Sequence, residues 1–258
     1  MTMNQDILLP GRVVRAWRRR SIGEFSRLLM YNLKLIATGK YLKLSDVYDQ
    51  SFDRQFNVET AGTEEPEFLT AEDVLKTHAR AYEPVSVQHM QALLGMLPTF
   101  DLGTFMFIDL GSGKGRALFI AAMHPFQQVV GVEYSQELHK IAMRNVRTYR
   151  NPSQKCFAIR PICTDATTFG LPELPTVCFI NNPYDVSLMA KTAELLDNSV
   201  QSAPRSFFII YLNAYCTEPI DNTPGWSRIR EGFLDRSSYV IWQWDEAGSK
   251  YSPLSSDV

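Results

Sequence analysis

Cysteine is scarce in this sequence, and it is unpaired. Cys156, Cys163, Cys178 and Cys216 form no C-x-x-C pair, and two of them sit inside hydrophobic, strand-like runs. Buried, reduced thiols are therefore expected. His78, His89, His124 and His139 are scattered, without metal-ligand spacing among themselves or with the cysteines, so no metal site is expected. There is no stretch of about 18 uncharged apolar residues, which argues against a membrane-spanning helix. The early apolar residues are interrupted by Arg12, Arg15 and the triplet Arg18, Arg19 and Arg20, unlike a secretory leader. A reducing, cytoplasmic setting is the default expectation. Bulk charge is also nearly absent: the net charge is −2, too little to recruit a polyanion. Internal repeats and low-complexity tracts are missing as well.

What remains is 258 residues, 45% hydrophobic and 21% charged, a size and composition suited to one α/β domain with a helical extension. The charge is unevenly placed. Residues 1–45 carry nine Lys and Arg against Asp6 and Glu24, which leaves +7 there and −9 in the remainder. Within this segment, Val14, Trp17, Phe25, Leu28, Leu29 and Ile36 recur at helical spacing, so 11–37 reads as a basic helix. A surface helix packed by Trp17 and Phe25 is its plain reading; weak contact with an anionic surface is the alternative. Residues 45–70 are polar and irregular and read as a loop or lid. Residues 86–97 form a helical pattern that Ser86 can cap and Pro98 stops.

From Phe105 onward strands and helices alternate. Strands are expected at 105–109, 129–133, 159–163, 177–182 and 206–212, with helices at 115–123, 136–149 and 186–199. Two late strands, about 226–231 and 238–244, read as an antiparallel hairpin. Apolar strands separated by amphipathic helices imply a parallel sheet covered on both faces. The chain therefore divides into an extension and lid over 1–81 and an α/β domain over 82–258.

Ligands of open parallel sheets bind beyond the carboxyl ends of the strands. The first such end reads Asp109-Leu110-Gly111-Ser112-Gly113-Lys114-Gly115-Arg116. Its glycines allow a tight turn and close approach of a ligand to the backbone. A phosphate-binding loop needs G-x-x-x-x-G-K-[ST], which is absent. A dinucleotide turn needs G-x-G-x-x-G, and Arg116 stands where its third glycine belongs. Lys114 and Arg116 themselves read as exposed turn residues.

The run Asp109 to Gly115 resembles motif I of the class I S-adenosylmethionine-dependent methyltransferases, and the likeness covers about 82–245. It implies a Rossmann-like seven-stranded methyltransferase sheet, parallel with an antiparallel edge hairpin, preceded by the helical extension. It also implies S-adenosyl-L-methionine as cofactor, S-adenosyl-L-homocysteine as product, and no metal. By the same likeness Asp109, Gly111, Ser112, Gly113 and Gly115 surround the methionine end. Glu133 accepts the ribose hydroxyls, Tyr134 lies against adenine, and Asp165 and Ala166 contact the base. The plain readings of these acids are a turn cap for Asp109, a solvated strand end for Glu133 and a loop cap for Asp165.

Beyond the fourth strand, Asn181-Asn182-Pro183-Tyr184 resembles the (D/N)-P-P-(Y/F) motif of amine-directed methyltransferases, with Asn182 in place of the first proline. FINN is similar to the matching strand of the non-SET histone-lysine methyltransferases. The Tyr82-containing loop is similar to one that reaches the methionine moiety in related enzymes. A group of bacterial class I methyltransferases of mostly unassigned substrate resembles the chain further, both in Gly-Lys-Gly-Arg and in SFDRQFNVETAG (51–62). Asn181, Asn182, Tyr184 and Tyr82 are the implied catalytic residues, and Asn181 is implied at the cofactor as well. The leading expectation is methylation of an amine nitrogen on a protein lysine or small metabolite, with nucleic acid disfavoured. Oxygen methylation of a natural product or peptide carboxylate, and a non-catalytic cofactor-binding module, stay open.

Overall fold

The computed structural model describes residues 44–62, 82–181 and 186–244. The expected basic helix over 11–37 lies outside the described residues, as do Asn182, Pro183 and Tyr184. The chain divides into two compact units, Met1–Val47 and Tyr48–Val258.

Seven strands form one sheet: β1 (Met106–Leu110), β2 (Gln128–Glu133), β3 (Ile159–Cys163), β4 (Thr176–Asn181), β5 (Phe207–Leu212), β6 (Trp226–Leu234) and β7 (Ser237–Trp244). Their order is β3-β2-β1-β4-β5-β7-β6. The first five run parallel, whereas β7 is antiparallel to β5 and β6 antiparallel to β7. β1 and β5 are buried along their whole length, as strands covered on both faces are. Alternate residues supply the two faces. Phe107 and Phe179 join one core cluster, while Ile108, Leu110 and Ile180 join the other. The outer strand β6 is mostly exposed and carries Arg228, Arg230 and Glu231, charges that protect a free edge.

Six α-helices are described: α1 (Leu44–Phe56), α2 (Val87–Gly95), α3 (Arg116–Ala121), α4 (Gln136–Thr148), α5 (Val186–Ser202) and α6 (Glu218–Asp221). Ser86 caps α2 by accepting from the His89 N–H at 3.0 Å, and Ser135 caps α4 through the Leu138 N–H at 3.3 Å. Met90, Leu93, Leu118 and Phe119 fill the first cluster, and Met189, Ala193, Leu196 and Val200 of α5 fill the second. Cys156, Cys178 and Cys216 are buried, as expected, but Cys163 at the end of β3 is exposed.

The region read as an irregular lid is in part a helix. α1 occupies 44–56, and Phe52 and Phe56, spaced i,i+4, turn into the first cluster. Their rings meet edge-on at 4.7 Å, and Phe56 reaches Tyr149 at 5.9 Å. Burying each is worth roughly 1.5–3 kcal/mol, enough to fix a short polar helix against the sheet's helical layer. Asn57, at φ 56°, ends it in the left-handed conformation that commonly terminates helices.

One glycine inside a strand has a packing reason. Gly131 pairs with Asp109 across β1 and β2. A Cβ there would lie 2.6 Å from Leu118 Cδ1 and 2.7 Å from Ser112 Oγ. Gly131→Ala is therefore expected to destabilise the protein by about 1–3 kcal/mol, the usual range for an overpacked core. Urea unfolding measures this; a change under about 0.5 kcal/mol, the surface-substitution range, would contradict the packing account.

Candidate functional site

The turn after β1 is tied to β2 before it reaches α3. Gly111 and Ser112 N–H groups both donate to the Val132 carbonyl, at 2.8 and 3.0 Å, and Gly115 N–H donates to the Ser112 carbonyl at 2.8 Å. Gly111, Gly113 and Gly115 have φ of 92°, 53° and 91°, a region that side chains with a Cβ rarely adopt. At Gly113 close approach adds to this: a Cβ would lie 2.2 Å from Tyr82 Cδ2. The Tyr82 ring thus lies directly on the glycine turn. Ser112 Oγ is buried and has no hydrogen-bond partner among the described residues.

Two carboxyl groups border this turn, at the ends of adjacent strands. Glu133 is only 8% exposed. Its Oε2 accepts from Gly113 N–H and its Oε1 from Ser135 N–H, each at 2.7 Å. Its reading as a solvated strand-end acid is thereby corrected. Both oxygens are anchored, and each keeps a second lone pair. Asp109 is 4% exposed. Burial holds its carboxyl well above the usual carboxylate range, and the neighbouring Glu133 charge adds to this. Burial also raises Glu133, against the opposing N–H bonds of Ser135, Gly113 and Tyr134.

Further sequence candidates sit at the carboxyl ends of β2 to β4. Tyr134 follows Glu133 and is half-buried. Asp165 Oδ1 accepts from both the N–H and O–H of Thr167 at 2.8 Å, so the capping role is present in the fold. Ala166 beside it is buried. Asn181 ends β4 and donates from Nδ2 to the Glu83 carbonyl at 3.3 Å. Its Oδ1 accepts from Asn213 Nδ2 at 3.0 Å. A carbonyl can only accept, so Glu83 fixes which end of the Asn181 amide faces which partner. Asn213, just after β5 and at φ 56°, was not singled out from the sequence. Asparagine's tolerance of that conformation was the available signal.

Lys114 and Arg116 are not exposed turn residues. They are 3% and 2% exposed and face the 53–61 segment. Arg116 Nε donates to Thr60 Oγ1 at 2.5 Å, Nη2 lies 3.4 Å from Asp53 Oδ1, and the guanidinium stacks 4.5 Å over Phe52. Lys114 Nζ donates to the Ala61 carbonyl at 3.0 Å and lies 5.5 Å from the Tyr82 ring centre. Asp53 accepts from Thr60 N–H, Thr60 O–H and Ala61 N–H at 2.6–2.7 Å. Tyr82 O–H donates to the Thr60 carbonyl at 2.7 Å. Asn145 of α4 joins the two sides: it donates to the Glu59 and Lys114 carbonyls and accepts from Glu59 N–H. Sequence reasoning missed Asp53, Thr60 and Asn145, because each acts on residues distant in the chain.

No protein-family model matches the sequence, and no curated protein matches it. Similar solved structures include an RNA methyltransferase from Salinibacter ruber in complex with S-adenosyl-L-homocysteine. Its identity is 19% and its TM-score 0.47, over 64% of this chain and 95% of that one. The putative methyltransferase yhhF from Escherichia coli is 15% identical, with TM-score 0.48, over 65% and 93%. The human methyltransferase 10 domain containing protein is 13% identical, with TM-score 0.46, over 77% and 94%. Among the described residues, no group of three or more His, Cys, Asp or Glu is placed to hold a metal ion. No described helix is long and apolar enough to cross a membrane.

The raised Asp109 carboxyl has a testable sign. The folded protein binds its proton more tightly than the unfolded chain. Its contribution to stability is therefore full below the ordinary carboxyl range and is lost as pH rises through the raised value. The unfolding free energy of the wild type minus that of Asp109→Asn should fall across that interval. A difference that stays flat or rises would contradict the burial account. The sheet order β3-β2-β1-β4-β5-β7-β6, five parallel strands with an antiparallel pair at one edge, is the seven-stranded sheet expected from the sequence, and the glycine turn follows β1, third in that order.

Proposed function

We propose that this protein is an S-adenosylmethionine-dependent methyltransferase acting on an N–H-bearing nitrogen. One observation carries the reading. A turn of three left-handed glycines lies between two buried carboxyls, Asp109 and Glu133, at the carboxyl ends of adjacent parallel strands. The donor set suits this cofactor. A buried carboxyl at Asp109 is drawn into its charged form by an ammonium group and pairs with it, which a pyrophosphate cannot do. Glu133, oriented through both oxygens, has lone pairs left for a vicinal diol. The unpartnered Ser112 hydroxyl offers a further polar contact in the turn.

When bound, S-adenosylmethionine supplies an electrophilic methyl group on a sulfonium sulfur. The chain's own part is binding and orientation, the larger share of catalysis in a displacement of this kind. Asp109 would hold the ammonium end once its proton has passed to solvent. Glu133 fixes the ribose, with Tyr134 and Ala166 beside the base. Tyr82, lying on Gly113, borders the reacting end. Asn181 turns Oδ1 toward the strand ends, and after the Asn213 bond one lone pair remains for an acceptor N–H. That lone pair suits a lysine side chain, a small amine or a nucleobase amine alike. Bulk charge disfavours nucleic acid, but nothing in this geometry does. Asn182 and Tyr184 complete the proposed acceptor motif.

Glu133→Gln should weaken S-adenosylmethionine binding by about 1.5–3 kcal/mol, the range for hydrogen bonds to a charged group. That is roughly 10- to 150-fold in calorimetric Kd. Unchanged affinity in a folded variant would refute the assignment. Asn181→Ala should lower methyl transfer in an acceptor screen with labelled methyl groups, while cofactor affinity holds. Equal turnover would place the acceptor elsewhere.

A further inference from the structure

The structure assigns Thr60 and Arg116 as positioning residues for the cofactor site: they hold residues 53–61 and Tyr82 over the glycine turn, so that ligand binding and closure of this strap form one equilibrium. The inference rests on the cofactor reading above and adds to it a part of the chain outside the motifs. Thr60 has no exposed surface, and every one of its polar atoms is bonded. Its partners come from three separate places: Asp53 in α1, Arg116 in α3 and Tyr82 ahead of α2. Two anchors of the strap, Lys114 and Arg116, belong to the glycine turn and the first residue of its helix. The strap cannot leave without breaking bonds to the turn itself.

Tyr82 makes the connection to the ligand side. Its ring lies where a Cβ on Gly113 would be, and its hydroxyl is held by the Thr60 carbonyl. A change at Thr60 is thus transmitted to the surface of the turn through the Tyr82 hydroxyl. The arrangement also accounts for Arg116, which replaces the small residue of a dinucleotide turn. Its guanidinium fork, stacked on Phe52, reaches Thr60 with Nε and Asp53 with Nη2. Lysine, with one ammonium, does not reproduce that fork. If only the closed strap presents Tyr82 correctly, apparent affinity scales with the closed fraction.

Thr60→Val tests this, since it keeps the volume and deletes the hydroxyl. Two readings are taken on the full chain: calorimetric titration with S-adenosylhomocysteine, and the rate of trypsin cleavage after Arg54, an exposed residue within α1. Cleavage there reports the open population. In the wild type, the ligand should slow cleavage. In Thr60→Val, affinity should fall roughly tenfold or more as the closed fraction drops. Cleavage should quicken, and saturating ligand should restore protection. Thr60→Ser, which keeps the hydroxyl, should behave as wild type. Should Thr60→Val not fold, Arg116→Lys takes its place with the same expected losses. Faster cleavage with unchanged affinity would reduce Thr60 and Arg116 to structural residues and overturn the proposal. So would a folded variant that matches wild type in both readings. Wild-type protein that binds neither S-adenosylmethionine nor S-adenosylhomocysteine would instead refute the cofactor reading, and this coupling with it.

Discussion

The hydrogen bond from Gly113 N–H to Glu133 Oε2, at 2.7 Å, is the constraint on which the rest of the site depends. It joins the middle of the glycine turn to the end of the neighbouring strand. Glu133 can be reached only because Gly113 sits at φ 53°, and the turn can lie this low only because β2 has Gly131 beneath it. Once made, the bond holds a carboxylate in a buried place with a fixed orientation. Buried carboxylates are costly unless hydrogen-bonded, and here backbone N–H groups on both sides meet that need. Asp109, on the next strand, lacks that degree of compensation, and its carboxyl is pushed toward the neutral form. The pair therefore holds one oriented acceptor and one acid that a cation would ionise.

The turn also organises what lies above it. A dinucleotide turn uses a small residue where its helix begins, to bring helix and strand together. Here that position holds a buried arginine, and the helix is six residues long. The cost of burying a guanidinium is met by Asp53, Thr60 and the Phe52 face. The same motif that is proposed to open space for a ligand thus also holds the 53–61 segment. Asn145 ties α4 into the same arrangement by bonding to both Glu59 and Lys114.

Much of the sheet was legible in the sequence. The Met106–Leu110, Thr176–Asn181 and Phe207–Leu212 runs are largely apolar, and a strand buried on both faces explains them. The glycine turn was legible because its spacing is local. α1 was not: its sequence is mostly polar, and among its described side chains Phe52 and Phe56 mark the buried face. The burial of Lys114 and Arg116 was not legible either. Their partners Ala61, Thr60 and Asp53 lie more than fifty residues earlier, and a cation beside glycines gives no local sign of a distant carboxylate. Asp165 shows the plainer of its two sequence readings, since its carboxylate caps the turn after β3.

Which nucleotide-like ligand the turn accepts decides everything built on it. The most direct measurement is equilibrium titration of the wild-type protein with S-adenosylhomocysteine, in parallel with NAD and ATP. Two buried carboxyls around a glycine turn predict saturable binding of S-adenosylhomocysteine and none of the two phosphorylated ligands. Saturable binding of NAD or ATP, with S-adenosylhomocysteine inert, would contradict the account at its centre.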